Sequence, residues 1–193
     1  MTNLETIADA DADIAALVYT SGDRPDLVLC AFARHLAETG RRPCGLVQLR
    51  DRSGDQASRK VMVLEDWQVV DAARKRDGAA GDHCSLDSQW LDQMGAQTAT
   101  AVRRGVDAVI VNRFGPLEAN GRGFRDAIQA ASETKTPLVI AVPEFEFARW
   151  THFSSGMTVR LDCTLDSILG WWRRITNSAT QTVASEQRVC ELK

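Results

Sequence analysis

No apolar run in this chain approaches the roughly 20 residues a helix needs to cross a bilayer, so membrane insertion is not expected. Nor does it open like a secretory leader. Met1 to Asp13 is polar and acidic, with Glu5, Asp9, Asp11 and Asp13, the reverse of a basic start before an apolar core. A dominant charge is also missing: 23 basic and 26 acidic residues leave a net charge of -3, which excludes a global field toward nucleic acid or anionic membrane. The five cysteines (Cys30, Cys44, Cys84, Cys163, Cys190) are odd in number and lack paired spacing. They argue against a disulfide framework and fit a cytoplasmic protein with small, mostly buried thiols. His83-Cys84 and His152 lack ligand-pair spacing, so neither a metal nor a cofactor is expected, and a helix start capped by Ser85 or Asp87 accounts better for the first of these segments. Internal repeats and low-complexity stretches are absent as well.

What remains is an ordinary globular composition, 44% hydrophobic and 25% charged over 193 residues, enough for one domain. The reading is a polar, flexible lead over 1–12, one α/β domain over 13–175 and a polar, frayed tail over 176–193. Ile14 to Tyr19 is a short continuous apolar run, as in a strand buried on both faces. Thr20 to Asp26 is a turn with Pro25 suited to a first helical turn, Leu27 to Thr39 has helical spacing ended by Gly40, and Cys44 to Leu49 is the next strand. Arg50 to Lys60 reads as a loop, Val61 to Leu64 and Trp67 to Val70 as short strands, and Asp71 to Asp82 as a flexible excursion. A helix follows from about Asp87 to Gly105. Val106 to Val111 is the strongest central strand; Arg125 to Glu133, Pro137 to Val142, Glu144 to Phe153, Met157 to Leu161 and Leu165 to Ile175 complete a helix, strand, helix, strand, helix series. Alternation of this kind predicts a three-layer α/β fold on a mostly parallel sheet. Ligands bind such sheets beyond the carboxyl ends of the strands, here the loops Thr20 to Pro25, Asn112 to Gly123 and Pro143 to Glu146.

The first loop stands where a phosphate-binding Walker A loop would. Such a loop needs glycines to let backbone N–H groups converge, a Lys for the β and γ phosphates and a Ser or Thr for Mg²⁺. Ser21-Gly-Asp-Arg-Pro-Asp26 has one Gly, no Lys, two carboxylates and a Pro without an N–H. Two readings are open: Gly22, Pro25 and an Asp (Asp23 or Asp26) only turn the chain and cap the helix, or the helix start, with Ser21, Gly22 and Arg24, holds a small anion.

Asn112-Arg-Phe-Gly-Pro-Leu-Glu118 is the most informative segment. A hydrolase of this fold ends that strand with carboxylates for Mg²⁺ and water. Asn112 brings no charge, and Arg113 is a fixed cation unable to act as a base. Gly121-Arg-Gly-Phe-Arg125 adds two arginines on one helix face. Arg113, Arg122 and Arg125 together could fork onto a tetrahedral oxyanion; against this stand solvated ion pairs of Arg122 with Glu118 and Asp126. The ligand-binding set is thus Ser21, Gly22, Arg24, Asn112, Arg113, Gly115, Glu118, Gly121, Arg122, Gly123 and Arg125, with no catalytic residue.

The chain resembles the bacterial domain-of-unknown-function 2478 family from about Ile14 to Trp172. The resemblance is carried by Val18-Tyr-Thr-Ser-Gly22, Gly45-Leu-Val-Gln48, Cys84-Ser-Leu-Asp87, Asn112-Arg-Phe-Gly115 with Glu118, Gly121-Arg-Gly-Phe124, Trp150 with Phe153, and Trp171-Trp172. It implies a P-loop-like scaffold with degenerate Walker motifs and, through the family's frequent placement beside molybdate-uptake genes, a setting in molybdenum homeostasis. The Asn112 to Glu118 segment is also similar to the Asp-Glu-x-Gly-x-x-Glu loop of small nucleoside-triphosphate phosphatases, with Gly115 and Glu118 kept and both leading carboxylates replaced. Ser85 stands where the family typically has Arg.

The expected function is therefore non-hydrolytic binding of a small oxyanion (molybdate, tungstate or phosphate) or of a nucleotide phosphate. The alternatives are a divergent metal-dependent nucleoside-triphosphate phosphatase using Glu118, Asp23 or Glu144, and an interaction subunit. In the last, the aromatic cluster of Trp150, Phe153, Trp171 and Trp172, otherwise core, would contact another copy, a transporter or an enzyme.

Overall fold

Six consecutive buried residues, Ile14–Tyr19, form the strand (β1) on which the sheet is built. A strand hidden on both faces has to be apolar throughout, and this one is. The computed structural model describes residues 12–50, 57–72 and 86–190. Helix α1 (Pro25–Glu38) leads to β2 (Pro43–Arg50), then β3 (Ala57–Val63) and β4 (Gln68–Asp71); α2 (Ser88–Arg103) leads to β5 (Ala108–Val111). A short α3 (Pro116–Ala119) and α4 (Arg125–Thr134) precede β6 (Leu138–Pro143). After it come a 3₁₀ turn (Glu144–Glu146), α5 (Phe147–Phe153), β7 (Val159–Asp162) and α6 (Leu165–Cys190).

The seven strands lie in the order β4-β3-β2-β5-β6-β1-β7. β2, β5, β6, β1 and β7 are parallel, while β3 and β4 add an antiparallel hairpin at one edge. Alternation along β1 sorts the helices into layers. Ala15, Leu17 and Tyr19 face α1 (Leu29, Phe32, Leu36) and α6 (Ile168, Trp171, Trp172). Ile14, Ala16 and Val18 belong to the opposite core, with Met94 of α2, Ala127 and Ile128 of α4 and Trp150 of α5. The three-layer, mostly parallel α/β architecture expected from the alternation is the one observed.

Several local expectations are corrected. β3 begins at Ala57, inside the stretch read as a loop, because the hairpin extends until Ala57 lies opposite Arg50. Trp67 is not a strand residue: it takes φ +59° in the turn between β3 and β4. The connection from β5 to α4 contains α3, whose four residues are too few to show a period. α6 does not stop at Ile175 but continues to Cys190, through a stretch supplied with good helix formers such as Ala179, Ala184, Glu186 and Gln187. Trp150, Trp171 and Trp172 are buried, and two of their indole N–H groups are satisfied internally, Trp150 by Thr158 Oγ1 (3.1 Å) and Trp171 by the Ala12 carbonyl (3.0 Å). The aromatic face considered for a partner is therefore mostly spent in the core. No helix among the described residues is long and apolar enough to cross a membrane. Residues 1–11 of the expected lead over 1–12, residues 73–82 of the expected excursion, and His83, Cys84 and Ser85 lie outside the described residues.

Gly45 shows how tightly the sheet is drawn at its centre. It pairs with Ile110 across β2 and β5, takes φ +106°, and a Cβ there would run into the Ile110 carbonyl. Gly40, after α1, also has positive φ (+75°) but opens onto empty space. Gly45→Ala is expected to cost about 3 kcal/mol, from backbone strain and overpacking together, against about 1 kcal/mol for Gly40→Ala. Urea denaturation midpoints of the two variants measure the difference.

Candidate functional site

Parallel strands bring three loops to one edge. β1 ends at Tyr19, β6 lies beside it with Pro143 opposite Tyr19, and β5 lies beyond β6. The loops after β1, β5 and β6 therefore form neighbouring parts of one surface.

The loop after β1 is closed on itself. Asp23 Oδ2 accepts from the Thr20 N–H and the Thr20 hydroxyl, each at 2.8 Å, and these bonds hold the Asp23 carboxyl below its ordinary range. The Asp23 N–H in turn donates to the Thr20 carbonyl (3.2 Å). Arg24 forks onto Asp26, Nε to Oδ1 at 3.2 Å and Nη2 to Oδ2 at 3.0 Å, and Asp26 is buried. An internal carboxylate thus takes a backbone donor of the kind a phosphate would use, and Arg24 is committed to the helix start. Ser21 and Gly22 remain exposed at the tip. Cys163, after β7, feels this acidic corner: burial first, then Asp23 and Asp26, push its thiol up to about 11.

The loop after β5 is organised by Glu118, only 6% exposed. The Gly115 N–H donates to Glu118 Oε2 (3.1 Å) and the Phe124 N–H to Oε1 (3.4 Å), so one carboxyl ties both ends of the connection. Burial raises its pKa, outweighing these bonds. Gly123 (φ +60°) is required here, since a Cβ would stand 2.5 Å from Glu118 Oε1. Asn112 turns back to β2: its Oδ1 accepts from the Gln48 N–H (2.9 Å), and its Nδ2 donates to Gln48 Oε1 (3.4 Å).

The three arginines meet three different partners. Arg113 lies over the Tyr19 ring, 5.6 Å from its centroid, and so reaches across β6 toward the exit of β1. Arg122 is bound to Asp92 of α2, with Nη2 2.6 Å from Oδ2, rather than to Glu118 or Asp126. Asp92 also accepts from the Gly123 N–H (2.6 Å), and that bond leads the lowering of its pKa. Arg125 lies over Phe153 at 5.8 Å. Among the described residues, Arg113 and Arg125 have no carboxylate partner. Gly121 (φ +83°) turns the chain beside the Arg125 side chain. In the third loop Glu144 pairs with Arg160 (3.1 Å) and Glu146 with Arg149 (3.2 Å), while Phe145 is 84% exposed.

A cavity of about 490 Å³ opens between the ends of β2 and β5, the start of α2 and α3. Asn112, Arg113, Gly115 and Glu118 line it, with Gln48, Leu86, Ser88, Leu91 and Phe124 among the rest. Of the residues picked out in the sequence, four are gathered here; Ser21, Gly22 and Arg24 sit at the neighbouring loop, and Gly121, Arg122, Gly123 and Arg125 at the start of α4. Leu86, Leu91 and Asp92 escaped the sequence reading because they lie in or before α2, where they have the spacing of an ordinary amphipathic helix. Gln48 closes the Gly45 to Gln48 segment that carries part of the family resemblance, but a single strand amide does not mark a site. Among the described residues no group of three or more His, Cys, Asp or Glu could hold a metal ion.

Burial raises the Glu118 carboxyl above its unfolded value, so the folded chain holds the proton more tightly. The associated stability is complete below the ordinary glutamate range, about pH 4, and is lost as pH rises through the raised value. Glu118→Gln cannot ionise. Its melting temperature relative to the native chain should therefore climb between about pH 4 and neutrality, as read by calorimetric scans across that range; a constant offset would contradict the assignment.

A family model described as "Protein of unknown function (DUF2478)" matches residues 14–171. Molybdenum import ATP-binding protein ModC 2 of Bradyrhizobium diazoefficiens is 33% identical over 162 residues, which cover 83% of this chain and 18% of that protein. The chain thus spans under a fifth of that relative. THEP1 from the hyperthermophile Aquifex aeolicus, seen in a crystal structure, is similar in fold, with a TM-score of 0.55 at 12% identity over 78% of this chain and 90% of that one. At that identity the likeness is one of fold alone, and it agrees with the expected P-loop-like α/β scaffold. With a match that runs from the first residue of β1 into α6, the chain belongs to the DUF2478 family.

Proposed function

We propose that this protein binds a small oxyanion, or the phosphate of a nucleotide, without hydrolysing it. Arg113 carries the reading. It is an exposed guanidinium without a carboxylate partner among the described residues, set between the β1 exit and the cavity at the edge where this fold binds ligands. Ser21 and Gly22 offer backbone N–H groups at the adjoining loop tip, Asn112 offers its amide, and Arg125 adds a second unneutralised cation. Arg24 and Arg122 have structural duties instead, since each is held by an aspartate.

Among the described residues, the groups that hydrolysis would need are engaged elsewhere. The carboxylates available for Mg²⁺ or water are engaged: Asp23 with Thr20, Glu118 with Gly115 and Phe124, and Glu144 with Arg160. Arg113 stands where a general base would be needed. The segment of a molybdenum import ATP-binding protein that is 33% identical to this chain supports a setting in molybdenum uptake. Molybdate and tungstate join phosphate among the anions to test, and an uptake transporter is the partner in the cytoplasm.

Titration calorimetry with molybdate, tungstate, phosphate and nucleotides is expected to detect binding at millimolar concentrations or below. Arg113→Ala should weaken it by about tenfold or more, the worth of a charge-assisted hydrogen bond, while Arg149→Ala leaves it unchanged. Magnesium-dependent phosphate release from ATP or GTP should stay at background. Absence of binding, or indifference to Arg113→Ala, would overturn the proposal.

A further inference from the structure

The cavity beside Arg113 is far larger than a tetrahedral oxyanion. Its volume of about 490 Å³ falls in the range of roughly 300–1,000 Å³ typical of sites for organic ligands. Leu46, Leu86, Leu91, Val111, Leu117 and Phe124 supply its apolar surface. A hydrated anion gains nothing from such walls, whereas a flat ring is desolvated by them.

The polar groups are few and fixed. Asn112 Oδ1 is occupied by the Gln48 N–H, which sets the orientation of the amide and leaves Nδ2 as the group for a ligand. One Nδ2 hydrogen goes to Gln48 at the long distance of 3.4 Å, so the amide can donate to an acceptor on a ring edge. Glu118 is held by the backbone, each of its oxygens accepting one N–H, from Gly115 and from Phe124. Arg113 is then the one cation on the wall among the described residues. Apolar walls, an oriented amide donor at Asn112 and, among the described residues, one cation match a ligand with a flat ring, a ring acceptor and a negative group.

We infer that the cavity between β2, β5, α2 and α3 receives the heteroaromatic ring of an organic phosphate, of the nucleoside monophosphate class, with its phosphate toward Arg113. This rests on the anion-binding reading and narrows it: the ring sits on the β5 side of the sheet edge, away from α1. Bare oxyanions would occupy only the phosphate position.

Calorimetry on the full chain with GMP, AMP, guanosine, inorganic phosphate and molybdate, repeated with Arg113→Ala and Leu91→Trp, tests this. Leu91→Trp fills the cavity, and Leu86→Trp replaces it should circular dichroism show that it fails to fold. At least one nucleotide should bind about tenfold or more tightly than phosphate or molybdate. The tryptophan variant should erase that advantage while leaving phosphate binding as it was, and Arg113→Ala should weaken both. Binding of both nucleotides within about tenfold of phosphate or molybdate, or nucleotide binding untouched by the tryptophan, overturns the ring site but spares the anion reading provided Arg113→Ala still weakens binding. Indifference of every ligand to Arg113→Ala, including guanosine binding as well as GMP, overturns both.

Discussion

The connection from β5 to α4 has the shape it does because one buried carboxyl, Glu118, joins its beginning at Gly115 to its end at Phe124. Around that clasp the other constraints fall into place. Gly123 must lack a side chain to let the carboxyl in, and α2 closes the outside by offering Asp92 to the Gly123 N–H and to Arg122. Gly95 of α2 completes the fit, since a Cβ there would collide with the Gly123 carbonyl. The loop is thus tied at both ends, and next to Arg113 the buried Phe114 packs edge-on against Trp150, while the Arg113 guanidinium lies over Tyr19. A carboxylate that would be a catalytic candidate in a hydrolase is here a structural tie, and its burial is what raises its pKa.

The main elements were legible because parallel strands buried on both faces leave continuous apolar runs, as in Ile14–Tyr19 and Leu138–Pro143, and because Pro25 and Gly40 bracket α1 at positions where their backbone preferences count. Elements set by pairing or context were not. Ala57 to Lys60 is strand only because β2 is long enough to pair with it. The residues beyond Ile175 carry no apolar stripe that demands a helix, although they propagate one readily. At the site, the segment Asn112 to Phe124 stood out by composition, and seven of its residues line one cavity, Asn112, Arg113, Gly115 and Glu118 among them. The partners of its arginines could not be read locally: Asp92 precedes Arg122 by 30 residues, and Tyr19 and Phe153 come from other elements entirely. Ion pairs guessed at short range lost to tertiary ones, as happens when a neighbouring helix brings a carboxylate to 2.6 Å.

Charge neutralisation separates the arginines into two kinds. Arg24 and Arg122 each have a near aspartate, so their fields are largely cancelled at the surface and their worth is positional. Arg113 and Arg125 rest on aromatic rings instead. A ring holds a guanidinium in place through its negative face yet leaves the N–H edges and the full charge available. Holding a cation without neutralising it is what an anion site needs before its ligand arrives.

The scaffold's usual phosphate position is altered in a matching way. At the β1 exit the Asp23 carboxylate accepts from Thr20 and so acts as a built-in anion; it also adds negative charge where a triphosphate would have to lie. Two strands away, the carboxylates expected of a hydrolase have given way to Asn112 and Arg113. The two changes have the same sign of consequence. Negative charge stands in the loop after β1 and positive charge at the end of β5, so on the proposed anion-binding reading the favourable position for a ligand's anionic group lies across β6, at Arg113. A phosphate held there, as proposed, would lie beside an apolar cavity with room for a larger ligand.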